Sequence, residues 1–116
     1  MKDVFGTRRV NDKEYKYSFN LNVLSEIQAK YGSIAKWGDL TGAKDGAEPD
    51  LEAVIFGFTA MLNEGIEIDN DEKGTKTPLF TQKQVGRLLT QVGMAEATEQ
   101  MQKTIIASTD NGEKNA

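Results

Sequence analysis

The chain has 116 residues, with no cysteine and no histidine. Those two absences exclude disulfides, thiolate or imidazole metal sites, and any nucleophile activated by a histidine base within this chain. No apolar run approaches the roughly 20 residues of a membrane helix. The charged start, Met1 to Lys13, lacks an export signal's apolar stretch, so cytoplasmic localisation is expected.

The formal net charge is −4, but its distribution carries more information than its sum. Residues 1–36 hold seven bases and four acids, whereas residues 45–72 hold nine acids and no base. Residues 73–116 return to six bases and four acids. The acidic middle repels duplex nucleic acid and favours either plain solvation or a basic partner.

In chain order, Tyr15, Tyr17 and Phe19 alternate with Lys16 and Ser18, which predicts a strand with one aromatic and one polar face. Asn11-Asp12-Lys13 supplies the turn, and Thr7 to Val10, extending back toward Val4, the partner strand. Asn20 is the expected N-cap of a first helix whose stripe is Leu21, Leu24, Ile27 and Tyr31, stopped by Gly32. Ser33 caps a short second helix, Ile34 to Asp39, carrying Trp37, and Thr41 to Glu48 reads as a linker. Pro49 and Asp50 open a third helix with Leu51, Val54, Ile55, Phe58, Met61 and Leu62 inward, Gly57 leaving room for a close neighbour, and Gly65 as its end. Ile66 to Leu79 is expected as a polar loop. Thr81 with Gln84 has capping-box spacing and Phe80 with Val85 that of a hydrophobic staple, so a fourth helix buries Val85, Leu88, Leu89 and Val92 and stops at Gly93. A fifth runs from about Ala95 to Ala107, with Ala97, Met101 and Ile105 inward. The fold class is mainly α: a small helical domain of four to five short helices with an N-terminal β-hairpin, spanning residues 1–107, followed by a flexible tail, 108–116.

Three kinds of chemistry fall short of their own requirements in this sequence. Asp69-Asn70-Asp71-Glu72-Lys73-Gly74 begins like a calcium loop, but Lys73 stands where a fifth-place oxygen ligand is required and Phe80 where a bidentate Glu belongs. Thr81 to Leu89 resembles the opening of a helix-turn-helix. The helix that would read bases offers Ala95, Glu96, Ala97, Thr98 and Glu99 in place of basic or amide side chains. No carboxylate is singled out as catalytic, so neither enzyme activity nor a cofactor is expected. Tyr31, Trp37 and Phe56 are the candidate partner-binding residues, because aromatic side chains anchor interfaces; core packing is the competing role for all three.

The order of features carries a resemblance. A hairpin leads into Leu21-Asn22-Val23-Leu24-Ser25-Glu26-Ile27, closing in Lys30-Tyr31-Gly32-Ser33. A linker, an acidic amphipathic helix from Asp50, and Phe80-Thr81 opening two shorter helices around Gly93 follow. Over roughly residues 10–107 this resembles the tail assembly chaperones of long-tailed phages and prophages of Firmicutes. The resemblance implies a non-enzymatic protein of the host cytoplasm. Its implied partners are the tape measure protein and the tail tube protein, with self-association and without nucleic acid or membrane. It implies no active site. Many such proteins also have a longer frameshifted form, and Glu113-Lys114-Asn115 can be encoded by a slippery adenine run. The alternative is a small helix-turn-helix-like DNA-binding regulator.

Overall fold

The computed structural model describes residues 4–10, 13–42 and 48–109. Strands β1 (Val4–Val10) and β2 (Lys13–Phe19) pair antiparallel, with Val4 opposite Phe19 and Val10 opposite Lys13. The expected turn residues Asn11 and Asp12 lie outside the described residues. Five helices follow: α1 (Leu21–Tyr31), α2 (Ile34–Thr41), α3 (Leu51–Lys73), α4 (Gln82–Val92) and α5 (Met94–Thr109). The architecture is therefore the expected mainly helical domain with an N-terminal hairpin.

The helix starts obey local chemistry. Asn20 accepts hydrogen bonds from the backbone N–H groups of Asn22 and Val23. Ser33 accepts from Lys36 and Asp50 from Ala53 in the same way. Thr81 and Gln84 form the reciprocal capping box that their spacing predicts. Gly32 and Gly93 follow α1 and α4 with φ of +92° and +96°, which glycine adopts at little steric cost. The linker's ends meet where the Asp50 N–H donates to the Leu40 carbonyl at 2.7 Å. Residues 43–47 between them, and the tail from Asp110 with its Glu113-Lys114-Asn115 run, lie outside the described residues.

Helix α3 is the spine, and it corrects the sequence reading. Gly65 does not end it; the helix continues to Lys73 and stops at Gly74, in the left-handed region at φ +68°. Gly65 instead lets β2 cross. A Cβ there would stand 2.9 Å from the Lys16 carbonyl oxygen and 3.2 Å from the Tyr17 Cα. The supposed loop from Ile66 is helical through Lys73, so Asp69 to Lys73 cannot wrap a calcium ion as a calcium loop does. Only residues 74–81 connect α3 to α4. Asn70 holds that connection, accepting from the Thr75 hydroxyl and the Thr77 N–H and donating to the Thr77 carbonyl.

The core is assembled on both sides of this spine. Phe19, Val23, Ile27, Trp37, Val54, Met61, Val85 and Met101 are essentially inaccessible. Two expected inward residues are instead exposed, Leu21 at 66% and Leu51 at 55%. Both occupy the first position of a helix, ahead of the turn that meets a neighbour, and Val23 takes the inward place in α1. In β2 the expected polar face is partly lost. Ser18 is fully buried and Lys16 half-buried, because the strand lies so close over α3 that both its faces are covered. In α5, Ala97 and Met101 point inward as expected, while the Ile105 side chain lies outside the described residues.

Two glycines should respond to alanine with opposite signs. Gly65→Ala pushes a methyl against β2 backbone that cannot rotate away, an overpacking cost of about 1–3 kcal/mol. Gly86→Ala sits inside α4 with its nearest neighbour, Ile55 Cδ1, at an ordinary 3.7 Å. It should gain about 0.5–1 kcal/mol from helix propensity and reduced unfolded-state entropy. Urea unfolding midpoints read both, and equal shifts of one sign would contradict this packing.

Candidate functional site

The three aromatic residues singled out in the sequence do not form one surface. Trp37 is 0% exposed, and its indole N–H donates to the Ala53 carbonyl at 3.0 Å. It belongs to the core, which corrects its assignment as a partner contact: a ring with no accessible surface meets nothing outside. Tyr31 and Phe56 do meet, edge to face, with centroids 5.6 Å apart and both half-buried. Lys30 lies 4.7 Å above the Phe56 ring and 5.8 Å above Tyr31, and pairs with Glu52 at 3.3 Å. The buried Tyr31 hydroxyl makes no hydrogen bond of ordinary geometry. Burial first, then the nearby Glu52 and Asp50 charges, push the phenol above its usual range. This small patch is flanked by its own lysine.

The larger feature is a groove between β2 and α4. One lobe, of about 430 Å³, lies among Lys13 to Lys16, the α3 residues Gly65, Ile66 and Asp69, and Thr77 to Phe80. A second, of about 330 Å³, continues along α4 past Gln84, Arg87, Leu88 and Gln91. Both share Lys13, Tyr15, Phe80 and Gln84. Tyr15 and Phe80 form the floor, with ring centroids 5.9 Å apart, and Lys13 lies 5.7 Å from the centre of the Tyr15 ring.

This floor is held from beneath. Asn63 of α3 grips the Phe80 backbone twice, accepting its N–H at 2.7 Å and donating to its carbonyl at 3.1 Å. On the hairpin side Gln100 of α5 donates to the Tyr17 hydroxyl at 2.9 Å. Asn63 was not anticipated from the sequence, yet a signal existed: Asn63 and Asn70 are seven residues apart, so they share a helix face. That face receives the whole connection to α4.

The charges near the groove are of two kinds. At the α3 end Lys16 pairs with Asp69 at 2.6 Å, and Lys73 approaches the same carboxylate at 3.8 Å. The Lys16 contact holds the Asp69 carboxyl below its usual range, and Asp69 holds the Lys16 ammonium above its own. At the α4 end the charged side chains are Lys13 and Arg87. Neither pairs with an acid among the described residues.

Between α1 and α3 the acidic stretch plays a structural part. Glu64, 7% exposed, accepts from the side-chain amides of both Asn20 and Asn22, at 2.8 and 3.0 Å, and so ties the start of α1 to the spine. Among the described residues no group of three or more acids is placed to hold a metal ion, and no helix is long and apolar enough to cross a membrane. The helix-turn-helix resemblance falls on α4, Gly93 and α5; there Glu96 and Glu99 are exposed, Glu99 lies 3.8 Å from Lys103, and Ala97 is buried. No protein-family model, curated protein or solved structure matches the chain.

The Glu26 carboxyl is held above its usual range by burial and by the charges of Glu67 and Glu64. A raised carboxyl binds its proton more tightly in the folded than in the unfolded chain. Ionised Glu26 therefore lowers stability above that raised pKa, and the effect vanishes once pH falls below the ordinary carboxyl value. Glu26→Gln should raise the melting temperature at pH 7, with the gain shrinking to nothing in acid. A gain independent of pH would show that the charge is not its source.

Proposed function

We propose that this protein is a non-enzymatic tail assembly chaperone. It holds segments of a tape measure protein in the host cytoplasm and assists assembly of the tail tube. The order of hairpin, Tyr31-Gly32-Ser33 helix ending, acidic spine and capped terminal helices supports the family reading. The observation that carries the binding role is the groove itself. Its aromatic floor is fixed by Asn63 before any partner arrives, so little ordering entropy is lost on docking. A groove of this kind suits an amphipathic helix, whose apolar stripe meets the floor while its polar flanks stay wet. A chain of 12.8 kDa covers only a short part of a long client, so several copies would act together along it.

Co-expression tests the reading. A tape measure protein co-expressed with this chain should become more soluble and elute with it in one complex. Unchanged solubility and separate elution would overturn it. Tail tube protein should join the complex only when the long protein is present.

A further inference from the structure

The geometry points to an acidic amphipathic helix as the occupant of the groove between β2 and α4. Its apolar stripe would lie on Tyr15, Phe80 and Leu88, and its carboxylates would meet Lys13 and Arg87. This deepens the client-holding reading and rests on it, by naming the chemistry of the segment held.

The sign of the groove is the first argument. The chain as a whole is acidic, at −4, yet the lobe along α4 is lined by Lys13 and Arg87 and by no acid. Arg87 is exposed on α4, whereas Lys83, one turn earlier, lines a separate hollow with Glu52 and Ile55. Placement is the second. Lys13 comes from the hairpin wall and Arg87 from the helix wall, so cations flank an apolar floor from opposite sides. An amphipathic helix with acids on both borders of its apolar stripe presents the complementary order.

The two cations of the α4 lobe are also not already employed. Lys16, Lys30, Lys73 and Lys103 each lie against a carboxylate within the fold. Lys13 and Arg87 pair with none among the described residues. Lys13 is instead held over the Tyr15 ring, a contact that keeps its charge at the groove's edge. At the other end the Lys16–Asp69 pair, with Glu14 beside it, leaves no excess positive charge. The groove is therefore polarised, and the client's acids belong at its α4 end.

Fluorescence anisotropy with two labelled peptides tests the assignment. Both are four-turn helices with the same leucine stripe, one flanked by Glu and the other by Lys; a third peptide scrambles the acidic one. The acidic helix should bind about tenfold more tightly than the basic one at low salt, and the difference should shrink as salt screens it. The double variant Lys13→Glu/Arg87→Glu should weaken the acidic helix by about tenfold and make the basic helix the tighter ligand. Near-ultraviolet circular dichroism of Trp37 reports that the variant is folded.

Equal binding of the two helices, no binding of either, or an affinity untouched by the double variant would overturn the assignment. So would a scrambled peptide that binds as well as the striped one, or displacement of the acidic helix by duplex DNA. Retention of the tape measure protein is scored separately. If wild type and double variant retain it equally, the client reading stands and the groove assignment falls. If the acidic helix binds but the long protein is not retained, the groove stands and the client reading falls.

Discussion

The fold depends on the contact between Trp37 and the face of α3 at Ala53 and Gly57. The indole lies where a side chain on residue 57 would be: a Cβ there would stand 2.4 Å from Trp37 Cζ2 and 2.9 Å from Met101 Cε. One turn earlier, Ala53 supplies both the small side chain and the carbonyl that accepts the indole N–H. Glycine inside a helix costs about 1 kcal/mol relative to alanine. Burial of a tryptophan is worth several times that, since its truncation from a core removes about 3–5 kcal/mol. The exchange favours glycine. It also draws α2 and α5 onto the same stretch of spine, where Thr41, fully buried, donates to the Trp37 carbonyl.

The same device recurs two turns later and builds the surface. Gly65 admits the β2 backbone, which sets the hairpin across the spine and turns Tyr15 toward α4. Asn63, between the two glycines, fixes Phe80 and with it the capping box that starts α4. The two walls of the groove are thus positioned by residues two apart on one helix. Shifts in the spine at this point would change the groove's width, so the groove and the core share one support.

Much of this was legible in the sequence, for identifiable reasons. The caps at Asn20, Ser33, Asp50 and Thr81 are local: side chain and backbone partner lie two or three residues apart, so spacing alone reveals them. The Tyr-Lys-Tyr-Ser-Phe alternation announced the strand. Gly57 reads as a place of close approach, and it is one. Gly65 reads as a stop because glycine serves both purposes and nothing adjacent distinguishes them. The distinction depends on β2, about fifty residues earlier in the chain. Trp37 posed the same difficulty: an aromatic residue in a short helix suits either an interface or a core, and its partners are on α3 and α5. The groove was not legible at all, since Tyr15, Phe80 and Arg87 are united only by the fold.

On the proposed reading this protein works by contact, through the groove between β2 and α4. Backbone amide chemical shifts recorded with and without the Glu-flanked amphipathic helix decide between this surface and any other. Changes should concentrate in Lys13 to Tyr17 and in Phe80 to Gln91, with Trp37 and its neighbours in the core unmoved. Changes centred instead on Tyr31, Leu51 and Phe56, or spread through the core, would contradict it.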